Sequence, residues 1–398
     1  MKRLFYSAAL LLALLATSCG DANQKSSAIP QIDMNADYPE KEICLQDIAE
    51  VSYIALDSKD EFLFRGKMEE VSSDGIAVIG DDKIYLFHPD GEARNIIDKK
   101  GQGPGEYPFV HYALLDWKKD EVFVHAYSAK QMLVYSLDGK IKRQFKLEEK
   151  LVQHDLMNGD AEYMVMFKEK PGENKEGKVE PPYRPIVRIS KVDGTVDSLS
   201  YQQDYYTGMR VHVQTGDGNP ITMCLPSPSL MRLNGEAYVN EVSSDTIYRI
   251  VGEELRPVMT RIPSVEMEMK EKRFLKMYGA TSRYFFLRRV MQDYVFNSTL
   301  GVYDSVEVEG GSGWLLYDKV TGDTFVAKFN NQDFQGELLY RSLSFNECDA
   351  NTAYLKLEAF KLIEALEAGE LSGELKTIAE GLKEDDTPVL MVVKFKGS

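Results

Sequence analysis

Apolar residues in this chain come in short runs separated by glycine, proline and aspartate, a pattern that predicts strands because the runs are too short for buried helices. Residues 81–107, DDKIYLFHPDGEARNIIDKKGQGPGEY, hold a complete unit. Ile84, Tyr85, Leu86 and Phe87 form a β-branched and aromatic run, Pro89, Asp90 and Gly91 supply turn chemistry, and Asn95, Ile96 and Ile97 return as the partner strand. The GQGPGEY that follows places three glycines and a proline where neither a ladder nor a helix interior tolerates them, so it reads as a shaped loop.

The same order of parts recurs. A second unit occupies 120–125, 131–135 and 140–147 with a turn at 137–139; a third has 162–167, a Gly/Pro/Lys/Glu-rich insertion over 169–185, then 186–189 and a turn at 192–194. A fourth runs over 237–239 and 244–250 to a turn at Gly252, and a fifth over 314–317 and 324–329 around a turn at 319–323. The turn glycines Gly91, Gly139, Gly194, Gly252 and Gly322 recur at the spacing of four-stranded blades, which predicts radially stacked sheets and not a sandwich. The apolar run at 389–395 and the alternating Val51, Tyr53 and Ala55 of 42–56 remain for a sixth blade, built from both chain ends. Closure of that kind hides the edges an open sheet exposes. The expected fold is all-β: a six-bladed β-propeller over 41–398 with short helical insertions. Ser264 with Met267, Phe274, Leu275 and Tyr278 predicts one helix ending at Gly279; Leu355, Ala359, Leu362, Ile363 and Leu366, then Leu375, Ile378, Ala379 and Leu382, predict others.

The first residues differ from the rest. Lys2 and Arg3 precede an apolar stretch over 4–16 that is too short to span a bilayer, so residues 1–18 read as a signal peptide. Small residues before Cys19 resemble the lipobox of bacterial lipoproteins, with Leu15 one place further back than the stricter motif has it. That resemblance makes Cys19 the lipidated residue, anchored by several acyl chains, and leaves 19–40 as a flexible tether. Ordinary secretion with cleavage near Ser18 is the alternative.

Charge narrows the partners. The formal net charge of −16 becomes −18 once Lys2 and Arg3 are removed, which argues against nucleic acid and against electrostatic attachment to anionic lipid. Besides Cys19 there are Cys44, Cys224 and Cys348, scattered too widely for a zinc site.

GQGPGEY after an Asp-Gly hairpin, SSDTIYRI at 243–250, WLLYDKVTGDT at 314–324 and DDTPVLMVVKFK at 385–396 together resemble the six-bladed β-propeller lipoproteins of Bacteroidetes. The resemblance covers nearly all of the mature chain. It implies a lipid-anchored ring in the cell envelope, at the outer membrane, and brings no catalytic residues and no cofactor.

Recognisable catalytic motifs fail on their own terms. Glu106 stands where a dinucleotide fingerprint needs glycine, and no Gly-Lys-Ser/Thr follows. After Gly310, Gly311, Ser312 and Gly313, Trp314 replaces the closing glycine of a nucleophile elbow. His88, His111, His125, His154 and His212 lack metal-ligand spacing, so no metal is expected. What remains is a mouth lined by loops. Aromatic and arginine-bearing segments are its candidates: His111 and Tyr112 beside Phe109; Tyr205, Tyr206, Arg210 and His212; Arg283 and Arg288 with Tyr284 and Arg289. Such surfaces suit sugars or acidic peptides. The sequence therefore favours a non-catalytic lipoprotein that binds a glycan, a peptide or an envelope protein, over a propeller enzyme acting on polysaccharide as lyase or glycoside hydrolase.

Overall fold

The computed structural model describes residues 29–397 apart from 65, 111, 127–128, 148–156, 168–185, 200–206, 215–219, 226–229, 268–271, 298–301, 306–313, 336–342 and 346–348. Its strands form the six blades of a β-propeller and one further sheet. Blade one is Gly66–Ser72, Gly75–Gly80, Lys83–Phe87 and Ala93–Ile97; blade two is Ala113–Asp116, Glu121–Ala126, Gln131–Tyr135 and Ile141–Lys146. Blade three is Met157–Asn158, Tyr163–Phe167, Ile186–Ser190 and Val196–Ser198; blade four is Leu230–Leu233, Glu236–Val239, Thr246–Val251 and Glu254–Ile262. Blade five takes Arg273–Ala280, Tyr284–Met291, Trp314–Asp318 and Thr324–Asn330. Blade six combines Ser344–Phe345, Thr352–Leu357 and Val389–Phe395 with Ala49–Ala55 from the other end of the chain.

That last pairing closes the ring. Ala49 faces Phe395, Tyr53 faces Met391 and Ala55 faces Val389 in an antiparallel ladder, as the alternation in the sequence predicts. Tyr53 also donates its hydroxyl to Asp333 at 3.0 Å and accepts from Asn331 Nδ2 at 3.0 Å, tying blade six to the end of blade five. The five turn glycines all adopt positive φ, Gly91 at 90°, Gly139 at 74°, Gly194 at 78°, Gly252 at 62° and Gly322 at 79°. Each sits between the third and fourth strands of its blade, so the repeat seen in the sequence is one turn used five times.

Three features depart from the sequence reading. The tether expected to reach residue 40 ends earlier: Gln31–Asp33 runs parallel along Thr260, Arg261 and Ile262 of blade four, and Glu40–Cys44 runs parallel along Val326 to Asn330 of blade five. Ile32, Met34 and Leu45 are fully buried. Arg273 and Arg289 hold this strap by donating to the Met34 carbonyl at 3.0 and 3.3 Å, and Arg289 also reaches Ala36 O at 2.9 Å.

The helix expected over 264–279 is instead the inner strand of blade five. Phe274, Leu275 and Met277 are all buried there, and a strand buried on both faces gives an apolar spacing that imitates a helical stripe. Gly279 is no helix cap; a Cβ there would lie 2.2 Å from the Phe345 ring of blade six. The C-terminal helices do form, as Ala359–Glu367 and Gly373–Ala379, with Leu355 left in a strand.

The seventh sheet has no counterpart in the sequence reading. A hairpin of Met209–Gln214 and Pro220–Leu225, between blades three and four, pairs with one of Asp293–Asn297 and Val302–Ser305, inserted in blade five. The two meet through a parallel ladder in which Arg210 faces Asp293 and His212 faces Val295.

Candidate functional site

Up-and-down strands put a blade's connections alternately on two faces. Turns between first and second and between third and fourth strands lie on one face, and these are short: 73–74, 117–120, 234–235 and 281–283 are examples. The opposite face carries the long connections: the GQGPGEY loop, both hairpins of the seventh sheet, and the segment 358–388 with its two helices.

The first strands of neighbouring blades touch, which makes them the inner strands around the axis. Side chains of neighbouring blades bond backbone groups of these strands: Ala113 N donates to Glu69 Oε1 of blade one at 3.2 Å, Asn158 Nδ2 of blade three to Leu115 O at 3.3 Å, and Met277 N to Asn240 Oδ1 of blade four at 2.6 Å.

 In this way the inner strands of blades two and five bond to their neighbours without a further strand.

At the short-turn end, turns of blades one, four and five bond to that of blade six. Asn351 of blade six receives Ser282 N of blade five on its Oδ1 at 2.5 Å and donates its own backbone N to Asn234 Oδ1 of blade four at 3.1 Å. Ser73 of blade one donates its N and Oγ to the Asp349 carboxylate at 2.6 and 2.8 Å. Asn234 and Asn351 both take positive φ, which asparagine tolerates better than most residues. Four blades are thus laced together at the short-turn face.

The loop-face end holds a small cluster. Lys67 Nζ sits 4.2 Å from the centre of the Tyr112 ring and 3.1 Å from Glu69 Oε2, a contact that is ionic without being a hydrogen bond. The Glu69 side chain is only 6% exposed, and burial pushes its carboxyl above the usual range while Lys67 pulls it back. A cation over an aromatic ring beside a buried carboxyl can offer both a donor and an acceptor to a polar ligand. Among the described residues no three His, Cys, Asp or Glu side chains group as metal ligands.

The glycine loop beside this mouth is spoken for by its own side chains. Glu106 folds back so that its Oε2 accepts from Gly103 N at 2.8 Å, Gly101 N donates to Tyr107 O at 2.9 Å, and Tyr135 Oη donates to Gly105 O at 2.9 Å. Tyr107 is fully buried, its hydroxyl donating to Ile97 O at 3.1 Å, and burial pushes its phenol up to about 12. A loop whose amide already serves its own carboxylate is a structural clasp and not a phosphate cradle.

Of the residues proposed from sequence, those that are described lie in separate parts of the ring. His111, Tyr205 and Tyr206 lie outside the described residues. Tyr112 stands at the mouth over Lys67. Arg210 and His212 lie on the seventh sheet, where Arg210 bonds Gln292 through its N at 2.6 Å and its Nη2 at 3.2 Å. Arg283 is on the opposite, short-turn face, paired with Asp318 at 2.9 Å. Arg288 is mid-strand in blade five, its guanidinium 5.6 Å from the ring centres of both Tyr278 and Trp314. Lys67 and Glu69 were not singled out by sequence, although the two adjacent acids of an inner strand, with a bulge between Met68 and Glu70, are their only local signal.

Comparison with known proteins agrees with this architecture. A Bacteroides fragilis protein described as exported superposes with a TM-score of 0.63 at 17% identity, over 93% of this chain and 100% of its own. A DUF4221 family member from Bacteroides vulgatus superposes with a TM-score of 0.50 at 10% identity, over 89% of this chain and 100% of its own. At those identities the likeness is one of fold. No curated protein matches the chain. The profile of DUF4934, a domain of unknown function, matches residues 29–394, from the strap through the closing strand of blade six, and the chain therefore belongs to the DUF4934 family.

Proposed function

We propose that this protein is an exported, lipid-tethered propeller of the cell envelope that binds an envelope protein, a peptide or a glycan through its loop face, without catalysing a reaction. The observation that carries the reading is the one-sidedness of the ring: the long connections emerge on one face, and four blades are laced together at the other. Loops held by a rigid scaffold are where folds of this kind place recognition. Export is supported by the signal-like residues 1–18, and the tether by Cys19.

Site-specific photocrosslinking in cells tests the reading. Met267 and Phe360 are exposed on the loop face, Val192 and Val320 on the short-turn face. Crosslinkers at the first pair should capture a discrete partner and those at the second pair should not. Capture from Val192 and Val320 alone would overturn the assignment of the binding face.

A further inference from the structure

On the short-turn face, away from the mouth, a recess of about 360 Å³ opens between blades three and four. Tyr163, Val165 and Arg188 line it from blade three, Ala237 and Ile250 from blade four. The registers explain why these side chains meet. Val165 lies opposite Arg188 in one blade and Ala237 opposite Ile250 in the other, and paired residues share a face. Val165, Ala237 and Ile250 belong to one apolar cluster between the two blades, which gives the recess an apolar floor. At its rim, a Cβ on Gly235 or Gly252 would meet no atom within 4 Å, so the entrance is open.

Two arginines, Arg188 and Arg249, and two carboxylates, Asp160 and Glu236, also line this space. Arg188 stacks on Tyr163, 4.1 Å from the ring centre, and its carboxylate partner is Glu253 at 3.4 Å, on a side chain 76% exposed. Glu253 belongs to blade four, so this weak pair spans the entrance from blade to blade. Arg249 pairs with Glu236, and its buried Nε has no hydrogen-bond partner. A buried guanidinium with an unmet donor is costly, and a carboxylate is the group whose geometry suits it.

We propose that this recess binds a single acidic sugar, a uronate, with Arg188 as the anchoring residue and Glu253 as the internal carboxylate it displaces. The Tyr163 ring and the apolar floor would receive the pyranose ring, and the volume admits one such ring with its substituents. A peptide is disfavoured because main-chain recognition needs free backbone groups, and the rim amide of Gly159 is already donated to Tyr163 O at 3.1 Å. The site lies on the face opposite the loops, so its failure would leave the proposed role of the mouth standing.

Calorimetric titration of the full-length protein in detergent with glucuronate, galacturonate, glucose and a glutamate-containing dipeptide tests this. Both or either uronate should bind at least about tenfold more tightly than glucose. Arg188→Gln should weaken uronate binding by about tenfold or more at an unchanged melting temperature, because a charge-assisted pair is lost from an otherwise intact wall. Glu253→Gln should tighten binding about twofold by removing the competing carboxylate, an effect of the size expected for an exposed pair. The proposal is overturned by uronates that give no saturable binding up to about 10 mM, by glucose binding equally well, by the dipeptide binding better, or by an indifferent Arg188→Gln protein.

Discussion

Glu69 shows how a single side chain can be costly and useful at once. Its carboxyl caps the free edge of blade two through Ala113 N, yet burial raises its folded pKa above the unfolded value. For an acid shifted that way, both states are protonated at low pH and no cost arises. As pH rises the unfolded chain ionises first, and stability present in acid is lost as pH passes through the folded value. Glu69→Gln keeps an oxygen for Ala113 N, and the exposed Lys67 loses little when its partner becomes neutral. The variant should therefore melt higher than the parent near pH 7 and equally near about pH 3.5, below the ordinary carboxylate range. A lower melting temperature at neutral pH would mean that the Lys67 pair outweighs burial. Residues of this kind are poorly legible in sequence, because a carboxylate that caps a neighbouring blade looks like any other acid. Turn glycines are legible because positive φ at Gly91 or Gly322 restricts the residue type locally.

At the scale of elements, sequence patterns located those parts whose partners lie close in the chain. Hairpins with Asp-Gly turns and the two C-terminal helices carry their own local signals. The seventh sheet does not, since its central ladder joins Arg210 to Asp293 in parallel and no turn connects them. The strap was likewise hidden, because Gln31–Asp33 is too short for an alternation to register. Its contribution can be measured. Ile32 and Met34 bury their side chains completely, and full burial of two such groups is worth roughly 3 kcal/mol or more. Removing residues 29–39 should lower the urea midpoint of the full-length protein clearly. An unchanged midpoint would show that blades four and five need no cover on their outer edges.

The whole molecule separates into a ring and what leads up to it. Closure joins Ala49–Ala55 to Val389–Phe395, and among the described residues the strap reaches back to Gln31. The ring was legible in outline because repetition is a global signal that survives local errors: misreading the inner strand of blade five as a helix left the blade count unchanged. The proposed anchor lies twelve positions before Gln31, at Cys19, and so outside every ladder described. Cys19→Ala should consequently release the protein from the membrane fraction and abolish palmitate labelling, while the melting temperature of the ring stays where it was. Because acyl chains act through membrane affinity and not through packing in the propeller, the two measurements are independent. Retained labelling would show that another residue carries the lipid. A fall in melting temperature would show that the segment before the strap packs on the ring, and that tether and fold are one structure.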